Sequence, residues 1–150
     1  MIHRSVQLLA DGAIIALPTE SGYVLAVHLL NADAVQRLVS LAPTAEPFSR
    51  QLALKSAEEV RDYVLNLSRM GSKLTRRYWP GPVAIVLPVE QHQGLLEAVS
   101  SATRSVVIDA GRRGLRVPAD RGLRELLRPE ERRGGKEWRS RGSPSHQQQK

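Results

Sequence analysis

The chain has 150 residues, enough for one domain with a real core, and no cysteine, which excludes disulfides, thiolate metal sites and a cysteine nucleophile. Its 22 Lys and Arg against 15 Asp and Glu give +7, but residues 128–150 hold seven bases and three acids, leaving 15 against 12, or +3, for residues 1–127. A mildly basic body permits nucleic-acid or nucleotide binding without requiring it, and no apolar run approaches the ~18 residues of a membrane span, so a cytoplasmic protein without signal peptide or membrane contact is expected.

The pattern over residues 2–10 predicts a short amphipathic helix ending near Gly12. Two apolar runs follow, Ala13 to Leu17 and Tyr23 to Leu30, separated by Pro18-Thr19-Glu20-Ser21-Gly22. Short β-prone runs bounded by Pro and Gly predict two buried strands joined by a tight polar turn. That turn gathers Thr19, Glu20, Ser21 and the Tyr23 hydroxyl at the end of a sheet, where binding groups tend to sit. Asn31 caps a predicted helix over Ala32–Leu41, whose apolar stripe is Ala34, Val35, Leu38 and Leu41.

Pro43–Phe48 reads as a proline-punctuated loop and Gln51–Leu54 as a short strand. Ser56-Ala-Glu-Glu59 has the form of a capping box, opening a helix that turns Val60, Tyr63, Val64 and Leu67 inward. Gly71 is expected to break the pattern, and Ser72 to start a further helix, Lys73 to Trp79, stopped by Pro80-Gly81-Pro82. The continuous apolar run Val83–Leu87 predicts a central strand, and Gln93–Ser101 a helix. Ser105–Ile108 and Leu115–Val117 read as strands, with Asp109, Arg112 and Arg113 as turn residues between them. Asp120–Leu127 starts a last helix. Strands alternating with helices argue for an α/β or α+β open mixed sheet.

Three blocks carry a resemblance. Pro18-Thr-Glu-Ser-Gly-Tyr-Val-Leu25 resembles the P-T-[DE]-T-x-Y-G-L signature that opens YrdC-family domains, with Ser21 in place of Thr and Val24 in place of Gly. Trp79-Pro-Gly-Pro-Val-Ala-Ile-Val-Leu87 resembles the family's W-P-G-P-[LV]-T strand entry, and Leu115-Arg-Val-Pro118 its R-[VIL]-P. In that order they give a resemblance covering roughly residues 5–127, which makes residues 1–127 one YrdC-like domain, expected to be incomplete at its C-terminus: a twisted open mixed β-sheet with helices packed on it and a concave basic face.

The resemblance implies a threonylcarbamoyl-adenylate synthase, a nucleotidyltransferase using L-threonine, bicarbonate and ATP with Mg2+. It would serve N6-threonylcarbamoyl modification of tRNA adenosine, alongside partner proteins of that pathway. Thr19, Ser21 and Tyr23 would line the substrate pocket, and Arg116 would help with anionic groups. Such chemistry needs cations on polyphosphate. The family's K-x-R-P matches Ser40-Leu41-Ala42-Pro43, where both cations are missing, and its next step reads Glu46-Pro47-Phe48. Arg37 and Arg50 lie nearby. The family's S-A-N-x-S-G segment would fall beyond residue 127. Two readings therefore stay open: the synthase, or a catalytically degenerate relative that binds double-stranded RNA or nucleotide without turnover. No residue is assigned a catalytic role.

Lys73, Arg76 and Arg77, on a helix leading to Trp79, are the candidate RNA contacts, set against a plain solvated face. Arg116 inside an apolar strand end calls for an anion or a buried carboxylate partner. His3, His28 and His92 are scattered without ligand spacing, so no metal site is expected. Residues 128–150 lack periodicity and read as a disordered tail, resembling a translated adapter or cloning scar.

Overall fold

The computed structural model describes residues 2–41, 50–90 and 94–128. The loop expected at Pro43–Phe48, His92 and the tail beyond Arg128 lie outside the described residues, so those expectations meet no structure.

Helix α1 (Ile2–Ala10) turns Val6 inward and ends at Gly12. Strands β1 (Ile15–Thr19) and β2 (Gly22–Ala26) form an antiparallel hairpin in which Leu17 faces Val24 and Thr19 faces Gly22. Alternation sends Ile15, Leu17, Val24 and Ala26 toward the protein and leaves Pro18, Tyr23 and Leu25 outside. The second apolar run stops as a strand at Ala26, because the chain turns at His28, whose Nδ1 accepts the Leu30 N–H at 3.1 Å. Burial lowers the pKa of that imidazole, which suits its role as an acceptor.

Helix α2 (Ala32–Leu41) starts where Asn31 Oδ1 accepts the Ala34 N–H at 2.9 Å. Strand β3 (Gln51–Ala53) follows. Ala57–Asp62 is a 3-10 segment rather than the expected α-helix. The Ser56 side chain makes no cap, and Glu59 reaches past it to accept the Lys55 N–H at 2.7 Å, so the reciprocal box never closes. Helix α3 (Arg69–Tyr78) is capped by Ser68, which accepts the Gly71 N–H at 2.9 Å. Gly71 lies inside this helix instead of breaking it. A Cβ there would stand 2.8 Å from Leu67 Cδ1, so the missing side chain is what lets Leu67 pack.

Strand β4 (Ile85–Pro88) sits at an edge, not at the centre as its apolar run suggested. The order is β3-β5-β4, with β5 (Arg112–Arg116) parallel to β3 and antiparallel to β4. Ser101–Val107 is helix α4, not a strand: Ser100 accepts the Thr103 N–H at 3.2 Å and starts a helix through the β-branched run. The turn falls at Asp109–Arg112, with Ala110 and Gly111 at positive φ, so Arg113 is a buried strand residue and not a turn residue. Helix α5 (Arg121–Leu127) is capped by Asp120.

The main core joins β3, β4, β5 and the segments around them through Leu54, Val60, Leu96, Leu115 and Val117. A smaller core of Val6, Leu123 and Leu126, with Ile15 and Leu17 against it, holds α1, α5 and the hairpin. Among the described residues no helix is long and apolar enough to cross a membrane.

Candidate functional site

The hairpin turn is built from its own hydroxyls. Thr19 Oγ1 donates to the Gly22 carbonyl at 2.6 Å and accepts the Ser21 N–H at 3.2 Å. Gly22 has φ +112, a backbone setting that side chains with a Cβ rarely adopt. Thr19 Oγ1 and Ser21 Oγ lie 3.1 Å apart. Since the Thr19 proton goes to Gly22, Ser21 is the donor in that pair, and its own oxygen faces a cation.

That cation is Arg116, at the end of β5. Its Nη1 donates to Ser21 Oγ at 2.9 Å, its Nη2 to Glu20 Oε1 at 2.6 Å, and its Nε to the Gly81 carbonyl at 3.0 Å. Glu20 Oε1 also accepts the Ala119 N–H at 3.0 Å. Burial by itself would raise the Glu20 pKa, but the hydrogen bonds from Ala119 and Arg116 outweigh it and hold the carboxyl down to about 2.

Gly81 is placed for this role by the Trp79–Gly81 corner. The Trp79–Pro80 peptide is cis, Trp79 Nε1 donates to the Val83 carbonyl at 2.9 Å, and the Gly81 N–H donates to Val117 at 2.8 Å. A Cβ on Gly81 would lie 2.6 Å from the Tyr78 carbonyl, so only glycine fits. The three sequence blocks thus converge on one guanidinium: the first supplies Glu20 and Ser21, the second Gly81, the third Arg116 itself.

Thr19, Ser21 and Arg116 are therefore brought together. Tyr23 is not part of that network; it stands 81% exposed on the outer face of β2. Lys73, Arg76 and Arg77 share the solvent side of α3 and make no bond to the turn. Of the two partners left open for Arg116, the structure supplies the carboxylate. Sequence reasoning placed Glu20 in the turn without assigning it a role; a buried arginine needing a counter-charge was the signal that could have singled it out. Among the described residues no group of three His, Cys, Asp or Glu is disposed to hold a metal ion.

A small mixed sheet, a hydroxyl-rich hairpin turn seated on an arginine, and a Trp-Pro-Gly-Pro corner closing over it define a YrdC-like domain. The Sua5/YciO/YrdC family model, described as telomere recombination, matches residues 7–132, and the chain belongs to that family. A threonylcarbamoyl-AMP synthase of Chromobacterium violaceum is 38% identical over 90 residues, 59% of this chain and 46% of that protein. One of Thiobacillus denitrificans is 36% identical over 83 residues, covering 55% and 44%. The chain spans less than half the length of these curated relatives. The fold matches Pyrococcus abyssi Sua5 complexed with L-threonine at a TM-score of 0.67 and 23% identity, over 84% of this chain and 34% of that one. It matches Escherichia coli YciO at 0.63 and 21% identity, over 84% and 58%.

Proposed function

We propose that this chain carries the threonine-recognising part of a threonylcarbamoyl-AMP synthase, which forms threonylcarbamoyl-AMP from L-threonine, bicarbonate and ATP for tRNA modification. The observation that carries this reading is the turn Thr19–Gly22 locked onto Arg116 in a chain similar to synthases of that name. Ser21 Oγ accepts one bond from Arg116 and keeps a lone pair for a substrate ammonium or hydroxyl. The exposed Tyr23 hydroxyl is a further donor on the same hairpin. Arg116, neutralised by Glu20, acts as a positioning residue that sets the turn and does not receive a substrate carboxylate.

The ATP side is sparser. Of the two positions that match the family's polyphosphate-binding cations, Ser40 lies in the last turn of α2 and donates to the Gln36 carbonyl, and the other is the uncharged Ala42. Arg37 is engaged with the Gly12 carbonyl. The donor set also does not fit a resident Mg2+, because Glu20, the carboxylate in the turn, is held by Arg116 and Ala119. Triphosphate neutralisation must then come from groups other than these.

Calorimetric titration with L-threonine, followed by an assay of threonine- and bicarbonate-dependent pyrophosphate release from ATP, tests the reading. Saturable threonine binding lost in Ser21→Ala, together with turnover, is the expected result. Binding without turnover favours the second reading, a degenerate relative, for which the missing cations at Ser40 and Ala42 speak. Absence of any saturable threonine binding sinks both the pocket and the activity.

A further inference from the structure

Helix α3 reads Arg69-Met-Gly-Ser-Lys-Leu-Thr-Arg-Arg-Tyr78, with four cations and no acid. Residues 1–127 carry +3 in total, so the rest of that body sums to −1 and its net positive charge resides on this one helix. At ~100° per residue, Arg69, Met70, Lys73, Arg76 and Arg77 fall within an arc of roughly 120°. All five are exposed, Met70 at 64%, while Gly71 and Thr75 on the opposite side are buried. Among the described residues no carboxylate forms an ion pair with any of the four cations.

A solvated face would interleave acids with these bases, and an exposed methionine bordering them would gain nothing from water. Three of the four cations are arginine, and arginine and methionine are the side chains enriched where proteins meet, whereas lysine is depleted there. Nucleic acid fits less well. Phosphates would use the cations and leave Met70 uncovered. Tyr78 is a poor stacking platform, since the Arg77 guanidinium already lies over its ring at 5.8 Å from the centroid.

We infer that the outer face of α3 docks a partner protein through an acidic amphipathic helix, with carboxylates set on Arg69, Lys73 and Arg77 and an apolar residue on Met70. Arg69, Lys73 and Arg77 recur every four residues, ~6 Å apart along the axis, so carboxylates at i and i+4 of a helix alongside meet them in turn. The inference is independent of the threonine reading and stands whether or not the chain turns over ATP.

The test uses the full chain and three probes: a helical peptide with Glu at i and i+4 and Leu between, polyglutamate, and a 20-base-pair RNA duplex. The peptide is expected to bind about tenfold more tightly than polyglutamate per carboxylate, and Arg69→Glu with Lys73→Glu to weaken it about tenfold or more. Both substitutions are at exposed positions, and the first puts an acid at the helix start, where it is favourable, so folding is preserved. Met70→Ser is expected to cost about fivefold in peptide affinity and nothing toward RNA. The inference is overturned if the peptide and polyglutamate bind alike, if Met70→Ser changes nothing, or if the duplex binds more tightly than the peptide with a steep salt slope.

Discussion

Strand β5 buries two arginines on opposite faces, and their surroundings differ. Arg116 points toward the hairpin, where a carboxylate, a hydroxyl and a carbonyl each take one of its donors. Arg113 points into the main core beside Leu115 and Leu87. Its Nη1 donates to the Val107 carbonyl at 2.6 Å, while its Nε is buried without a partner among the described residues. Burial, and then the positive charge of Arg50, pushes the Arg113 pKa down to about 10. The same residue type, equally buried on one strand, thus closes a polar network at one end and sits as an uncompensated cost at the other. Burial alone does not mark a functional charge; the completeness of its partners does.

The largest expected effect breaks this contrast directly. Arg116→Ala removes the donor shared by Ser21, the Gly81 carbonyl and the solvent-facing Glu20 carboxylate, and is expected to lower unfolding free energy by about 2–3 kcal/mol. Arg113→Met removes a desolvated charge and keeps the volume, so it is expected to be neutral or to stabilise by about 1–2 kcal/mol. Urea denaturation of the two variants side by side reads both values. Equal losses would show that the two arginines are held alike and end the comparison.

A smaller effect sharpens it from the partner's side. Glu20 has a folded pKa of about 2 against an ordinary 4.5. Its contribution is therefore complete above pH 4.5 and is lost as pH falls from 4.5 toward 2. Glu59 works in the opposite sense: burial raises its pKa against the pull of the Lys55 N–H, so it favours folding as pH falls. The difference profile of wild type minus Glu20→Gln isolates the first from the second. That variant is expected to cost about 1–2 kcal/mol at pH 7, solvent screening of the exposed carboxylate reducing the effect, and to abolish the excess acid loss. A difference that stays constant from pH 6 to pH 3 would mean that the Glu20 charge does no work in the turn.

How much of this was legible in the sequence follows from the range of each interaction. The hairpin, the Asn31 cap and helix α5 rest on residues within a few positions of one another, and their signals stand in the chain. The pairing of Glu20 with Arg116 spans 96 residues, and nothing at either end names the other. The run Ser105–Ile108 has β-branched residues in plenty, yet the cap at Ser100 and the burial of Thr103 and Val107 settle it as helix. Val83–Leu87 shows why an apolar run does not fix a strand's place: Ile85 and Leu87 are buried and Val86 between them is exposed, so the strand has one solvated face, and its edge position is set by backbone pairing that the side chains do not announce. The cation stripe of α3 was visible as composition, but its single face became clear only once Gly71 proved to lie within the helix and not to end it.

The smallest expected effect separates the geometry of the turn from its contacts. Gly22 sits at φ +112 with open space where a Cβ would go, so Gly22→Ala touches no atom of the network. Its cost is conformational alone, about 1 kcal/mol or slightly more. If that strain is relieved by letting φ relax, the Gly22 carbonyl rotates and the 2.6 Å bond from Thr19 Oγ1 is lost first. The freed hydroxyl then no longer orders Ser21, while the Glu20–Arg116 pair, made by the neighbouring residue, survives. The variant is therefore expected to keep the wild-type acid profile between pH 4.5 and 2 and yet to bind L-threonine about three- to tenfold more weakly, read by calorimetry. Unchanged affinity would place threonine recognition away from the hydroxyl pair, and a lost acid profile would show that the turn and the ion pair cannot be uncoupled.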